Sequence, residues 1–361
     1  MKNDYHTNFI QPDLNGALFV KQSGTKKREW KADKAAKLNS VILINIVKNN
    51  KTQIMKAIQY TAFGNTEVLT INEESKPSIT DQNQILVKIK AFTINPLDMK
   101  IRQGFMQQVY PIQFPFTPGL DASGIIEAVG SEVQNFSIGD EVIVSSMGGT
   151  YAEYCVVPEK NVSKKPSQIS FEEAVALVIP VTTAHSLLVN EGNVQNDQKV
   201  FVQGASGAVG AALIQLAKAL GAYVIGTASD EGIDLIKNLG ADEAIDYKTQ
   251  DFTQLVKDAD LVIDCAGGPS QNSLFNVVKK GGTLLSITMP PSQELAEQFG
   301  VKAQFISSDN SAKNLVYGLQ LLNEGKLKPS VAKILPMNEA AEAQNLVSSG
   351  GINGKVVLTV D

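Results

Sequence analysis

Residues 199–222 read KVFVQGASGAVGAALIQLAKALGA. A short apolar run ends at Gly204, and small and apolar residues with helical spacing follow until Gly221 stops them. Glycines at such a turn let backbone amides approach an anion, and the helix N-terminus adds partial positive charge. The usual G-x-G-x-x-G spacing is met by Ala205, Ser206, Gly207, Ala208, Val209 and Gly210, with the first glycine replaced and Gly204 just ahead. A glycine-rich turn alone can be no more than a tight turn. Preceded by a strand and followed by a long amphipathic helix, it predicts a dinucleotide-binding loop.

The text downstream repeats the unit. AYVIGTA predicts a strand, DEGIDLIKNLG a helix, ADLVIDCAG a buried strand, SQNSLFNVVKKGG a helix and TLLSITM a strand. Strict strand–helix alternation predicts a doubly wound parallel sheet, an α/β Rossmann domain over residues 179–322. Upstream, MKAIQY, QILVKIKAF, GIIEAVG, DEVIVSS and AEYCVVP alternate or cluster like strands, punctuated by Gly, Pro and Asp. They predict a β-rich, barrel-like domain over 55–178. The strands in LKPSVAKILPM and KVVLTV rejoin it, with the helix NEAAEAQNLVSSG, over 323–361. Ser170 and Glu173 are spaced as a capping box opening the helix at SFEEAVAL.

Residues 1–54 have a different character. Ten Lys/Arg face four Asp/Glu there, leaving 22 bases against 33 acids in the remainder. The apolar run VILINIV is too short to span a bilayer, and no basic start leads directly into a longer apolar core. This extension is expected to be a mobile tail, and a chain starting at Met55 is expected to keep full stability and activity.

The net charge of −5 gives no general case for nucleic-acid or membrane partners. Two cysteines, Cys155 and Cys265, exclude a disulfide scaffold and a four-cysteine zinc lobe. Only His6 and His185 are present, which excludes a His-rich metal site. This cysteine usage fits a cytoplasmic protein.

In NAD sites an acidic residue about 20 positions past the glycines binds the ribose diol. Ala228 stands at that place, which favours NADPH, and Ser229 can donate to its 2′-phosphate. Asp230 and Glu231 follow, with no Arg or Lys adjacent in sequence, so NADH stays possible.

With NPLDMKIRQG, FTPGLDASGIIEAVG, FSIGDEVIV, GASGAVG, LGADEAIDY and GKVVLTV on the page, the chain from Met55 to Asp361 resembles the zinc-independent medium-chain dehydrogenases/reductases. It is most similar to the quinone oxidoreductases and NADPH-dependent alkenal (enone) reductases. The resemblance implies a GroES-like first domain, an NADPH cofactor across the interdomain cleft, and a homodimer through an edge of the nucleotide-binding sheet, around GGTLLSITM. The zinc-containing branch has ligands where this chain has Asn95, Leu120 and Ile179, so no zinc is expected. Without a metal to stabilise an alkoxide, the expected substrates are small electrophiles: quinones or alkenes conjugated to a carbonyl.

The resemblance places Asn95 and Thr183 near the nicotinamide, Tyr247 beside the 2′-phosphate (a strand-end core tyrosine being the alternative), and Lys355 toward the pyrophosphate. For Lys355 an exposed lysine at a strand start is an equal reading. Asn95 and Lys100 lie where a donor to a substrate carbonyl is needed, and Lys100 can also return a proton. The alternatives are a turn-stabilising Asn before Pro96 and a solvated surface lysine. Tyr110 either lines the substrate mouth or anchors its loop. Asp98 is read as structural, pairing with Lys100 or Arg102 or bonding backbone amides. His185 is read as a packed histidine and both cysteines as buried and inert. Two other functions stay open: a catalytically weak NADPH-binding sensor, and an enoyl-thioester reductase.

Overall fold

The computed structural model describes residues 53–307 and 312–361; the expectation for the N-terminal extension falls almost wholly outside them. Gln53–Asp361 forms one contact unit. The β-rich part begins with β1 (Ile54–Gln59) and β2 (Thr70–Ser75), which pair antiparallel. β3 (Gln84–Thr93), β4 (Asp121–Val129), β5 (Glu141–Ser145), β6 (Tyr154–Pro158) and β7 (Val162–Lys164) follow, with helix α1 (Pro96–Arg102) between β3 and β4. In β3, Ile85, Val87 and Ile89 are buried at alternate positions, the spacing that sends side chains to one face.

Helix α2 (Phe171–His185) begins with the expected capping box: Glu173 N–H donates to Ser170 Oγ and Ser170 N–H to the Glu173 carboxylate. A π-helical turn, Ser186–Glu191, extends it. By length and composition Phe171–Glu191 could cross a membrane, with mean hydropathy 1.3, but 72% of that window is buried within the protein. Its apolar residues share one core with Ala91, Ile143 and Val357 of the β-rich part and Val200 and Val202 of the sheet that follows.

That sheet comprises β8 (Lys199–Gln203), β9 (Tyr223–Ala228), β10 (Glu243–Asp246), β11 (Ala259–Asp264), β12 (Val278–Ser286) and β13 (Lys302–Phe305). All neighbours are parallel, in the order β10-β9-β8-β11-β12-β13. Val200, Val202, Val224, Leu261 and Ile263 enter one core, whereas Phe201, Ile225, Val262 and Leu284 enter another. Period-two alternation thus buries both faces, as a parallel sheet requires. Helices α3 (Ala208–Ala219), α4 (Glu231–Asn238), α5 (Phe252–Leu255), α6 (Gln293–Phe299) and α7 (Ala312–Asn323) accompany the strands. Gly221, with φ +83°, follows the end of α3 as a stop.

Two expectations are corrected here. The segment before β12 is a 3-10 run, Gly268–Asn276, and the VKKGG that follows belongs to the strand itself. GGTLLSITM is not a sheet edge, because β12 is paired on both sides; the outer strands are β10 and β13. After α7 come β14 (Val331–Pro336), α8 (Ala340–Ser349) and β15 (Lys355–Thr359). These strands extend the first sheet as β14-β15-β3-β4-β5-β7, with β6 also on β3.

Candidate active site

The strand order reverses between β8 and β11, so a crevice opens beyond their C-terminal ends. The glycine loop lies there. Gly204 adopts φ +77°, and its amide donates to Thr227 Oγ1 at 3.2 Å. Gly210 packs so closely that an added Cβ would sit 2.3 Å from the Gly204 carbonyl oxygen and 2.6 Å from Ala205 Cα. A Cβ on Gly207 meets nothing nearer than 3.5 Å. Among the described residues no side chain caps α3, whose Ncap is Gly207. The amides of Ala208, Val209 and Gly210 are therefore available to an anion, and Ser206 and Val209 flank them half-buried. The loop fits a pyrophosphate.

At the end of β9, Ala228 is buried and Ser229 half-exposed. Ser229 Oγ donates to the Tyr247 hydroxyl at 3.2 Å, joining two residues predicted to serve the 2′-phosphate. Lys248, adjacent to Tyr247, forms an ion pair with Asp230. A basic residue, absent in sequence beside Asp230, is thus brought to it by the turn that follows β10. Gly232 brings Ser206 and Asn353 to the same place: a Cβ there would lie 2.9 Å from Ser206 Oγ and 3.0 Å from Asn353 Oδ1. Lys248 and Asn353 were not anticipated.

The opposite wall starts from α1. Pro96 occupies its first turn, Asn95 is the Ncap, and Asp98 Oδ2 accepts from Asn95 N–H at 3.0 Å. Asp98 also accepts from the Tyr151 hydroxyl at 3.1 Å, so its partners are a backbone amide and a tyrosine; the alternative of pairing with Lys100 or Arg102 is not realised. Arg102 instead donates to Gln344 Oε1 at 2.8 Å and to the Gly64 carbonyl. Burial, reinforced by the nearby Asp121 carboxylate, pushes Asp98 up to about 7. Its Oδ1 has no hydrogen-bond partner among the described residues.

Asn95 is only 2% exposed, and its amide is already engaged. Oδ1 accepts from the Lys355 ammonium, while Nδ2 lies 3.3 Å from both Thr93 Oγ1 and Asp121 Oδ1. Lys355 is not an exposed strand-start lysine. It is 4% exposed, donates to the Ile94 carbonyl at 3.0 Å, and faces Asp121 and Asp98. The cause is topological: β15 inserts between β14 and β3, which directs its first residue into the start of α1. Burial holds the Lys355 ammonium below its ordinary value, against the pull of Asp121 and Asp98.

Lys100, one turn into α1, is half-buried rather than freely solvated. Its Nζ donates to the Thr288 carbonyl at 3.3 Å, just beyond β12. Thr288 is itself fixed, since its hydroxyl donates to Asp264 Oδ2 at 2.9 Å. The Asp264 carboxylate, fully buried at the end of β11, further accepts from Ala266 N–H, Gly267 N–H, Gln271 and Ser286. It organises the loop facing the glycine turn, a role that a carboxylate ending an apolar strand could have signalled.

Tyr110 is half-buried with its ring edge-on to Phe116 at 6.5 Å, within a group that includes Tyr60, Phe63 and Phe114. Phe105 and Val109 in the same loop are 76% and 80% exposed. Thr183 is buried in α2. His185 stacks obliquely on Tyr317 with centroids 5.9 Å apart. Cys155 is buried and Cys265 less so, and burial pushes both thiols up, Cys155 to about 12.

Known families match these parts. The model for "Alcohol dehydrogenase GroES-like domain" matches residues 81–167, and that for "Zinc-binding dehydrogenase" matches 239–358. The fold is that of a medium-chain dehydrogenase/reductase. A quinone oxidoreductase of Sus scrofa is 31% identical over 324 residues, covering 85% of this chain and 98% of the relative. The solved quinone oxidoreductase of Coxiella burnetii is 31% identical with a TM-score of 0.78, covering 86% of this chain and all of that one. An Escherichia coli quinone oxidoreductase solved in complex with NADPH is 25% identical with a TM-score of 0.76, covering 84% and 100%. The chain belongs to the quinone oxidoreductase family of that superfamily.

Proposed function

We propose that this protein is an NADPH-dependent oxidoreductase that reduces quinones and α,β-unsaturated carbonyls without a metal ion. The observation carrying the reading is Lys100, whose ammonium reaches the Thr288 carbonyl at the same end of the parallel sheet as the glycine loop. The residues present fit the cofactor. Open space at Gly207 and the uncapped start of α3 suit a pyrophosphate, while Ser229, Tyr247 and Lys248 suit a 2′-phosphate. When bound, NADPH supplies a hydride.

Lys100 then has two tasks. By leaving the Thr288 carbonyl it can donate to a substrate carbonyl oxygen, and this bond strengthens as negative charge grows there. It can also deliver the proton that, with the hydride, completes reduction to a hydroquinone or saturated carbonyl. Thr183, buried in α2, is assigned to the nicotinamide end on the family resemblance. Asn95 acts by holding the start of α1, since its amide is committed to Lys355, Thr93 and Asp121. Tyr110 and its aromatic neighbours supply an apolar wall for a flat substrate. Metal-free chemistry is supported by Asn95, Leu120 and Ile179, two of which carry no donor atom in the side chain.

The test is consumption of NADPH and NADH over a panel of quinones and enones. Turnover with NADPH favoured supports the reading. Tight NADPH binding with no turnover of any substrate would overturn it in favour of a sensor.

A further inference from the structure

The polar side chains of the buried cluster behind α1 are engaged with partners inside the chain. Lys355, Asn95, Asp98 and Asp121 are each 4% exposed or less. Two carboxylates and one ammonium within a protein interior cost desolvation, and apolar residues of like volume often serve stability as well or better. The cluster is better understood by what it fixes.

Most of its bonds converge on the entry of α1, with Tyr151 held in addition through Asp98. The Lys355 ammonium bridges the Ile94 carbonyl and the Asn95 amide oxygen, the two residues before the helix. The Ile94 amide donates to the Val356 carbonyl at 3.1 Å, so the same entry is stitched to β15 through backbone as well. Asp121 on β4 binds Thr93 through its amide and hydroxyl and approaches Asn95 from the other side. Asp98 closes the first turn onto Asn95 N–H. Gly354, with φ +115°, and the Lys355 amide bond to the Ser330 carbonyl at 2.8 Å hold the start of β15 in place. One turn beyond the entry, α1 carries Lys100 to Thr288.

We propose that Lys355 is a positioning residue, which sets the direction of α1 from behind and thereby the place at which Lys100 presents its ammonium. The inference rests on the role given to Lys100 above. It assigns Lys355 no contact with the cofactor, in contrast to the pyrophosphate role that the family resemblance implies.

A double-mutant cycle separates these roles. Lys355→Met is combined with Asp121→Asn so that the Asp121 carboxylate is not stranded, while Asp98 keeps its Asn95 amide and Tyr151 hydroxyl donors, and this pair is studied with and without Lys100→Ala. Enone turnover at saturating NADPH, NADPH dissociation constant and melting temperature are measured. The pair is expected to lower kcat by about 100-fold, the scale of a small misplacement of a reacting group. NADPH affinity stays within about twofold, and adding Lys100→Ala causes little further loss. Should the neutral pair fail to fold, Lys355→Arg keeps the buried charge while altering its reach, and a reduced kcat at unchanged NADPH affinity is expected again. Weakened NADPH binding with unchanged kcat would make Lys355 a cofactor ligand and overturn the proposal. Losses that multiply with that of Lys100→Ala would overturn it as well. If Lys100→Ala alone leaves enone turnover intact, it is the donor role of Lys100 that fails.

Discussion

Asp230 and Lys248 form an ion pair between the end of β9 and the residues following β10, beside the hydrogen-bonded hydroxyls of Ser229 and Tyr247. The pair is exposed, and such pairs contribute little stability. Its lysine is therefore readily transferred to a phosphate. Lys248→Ala is expected to raise the KM for NADPH about tenfold, the scale of one charge-assisted hydrogen bond, while the KM for NADH stays unchanged. Asp230→Asn removes the competing carboxylate and should strengthen NADPH binding. Steady-state kinetics with both cofactors check this; equal responses would place Lys248 away from the 2′-phosphate.

The glycine loop gives a contrast between two neighbours. Gly207→Ala meets no close atom and keeps an ordinary backbone, with φ −67°. It should leave the melting temperature unchanged yet weaken NADPH binding about tenfold, because the methyl group enters the space offered to phosphate. Gly210→Ala drives a methyl group into the backbone of Gly204 and Ala205. It should destabilise the fold by about 1–3 kcal/mol, as overpacking does. Melting curves and NADPH titration of both variants distinguish the two effects.

Asp98 makes a prediction about pH. The folded chain holds its proton up to about pH 7, whereas an unfolded carboxyl releases it near 3.8. Its contribution to stability is thus full below about pH 4 and is lost as pH rises through 7. Asp98→Asn retains a neutral acceptor for the Asn95 amide and cannot ionise. Urea unfolding from pH 4 to 8 should show wild type losing stability relative to the variant across that window. Asp121, Lys355, Tyr151 and Tyr60 are the other titratable groups that face this carboxyl. Parallel pH curves for the two proteins would contradict the assignment.

What could be read from the sequence is what local periodicity and turn chemistry encode. Val200, Val202 and the glycines of 204–210 mark a strand, turn and helix without help from distant residues. The Ser170–Glu173 capping box is equally local. Lys248 escaped because its meeting with Asp230 depends on β10 lying beside β9. The burial of Lys355 is hidden for the same kind of reason: KVVLTV fits a strand with a wet first residue as well as one with a buried one until β15 is placed between β14 and β3. The true sheet edge is hard to read because β13 has only four residues, Lys302–Phe305, and short edge strands leave a weak pattern. Asp264 stands at the polar end of the apolar run ADLVID, and its role shows only in its five donors, which the chain brings from later segments.

The central claim is that Lys100 serves the substrate carbonyl, and Lys100→Ala tests it most directly. Enone turnover at saturating NADPH should fall by about 100-fold or more, the usual contribution of a positioned proton donor. NADPH affinity should change less than about twofold, since the residue lies beyond the glycine loop's own contacts. Unchanged enone turnover in a folded, NADPH-binding variant would contradict the account.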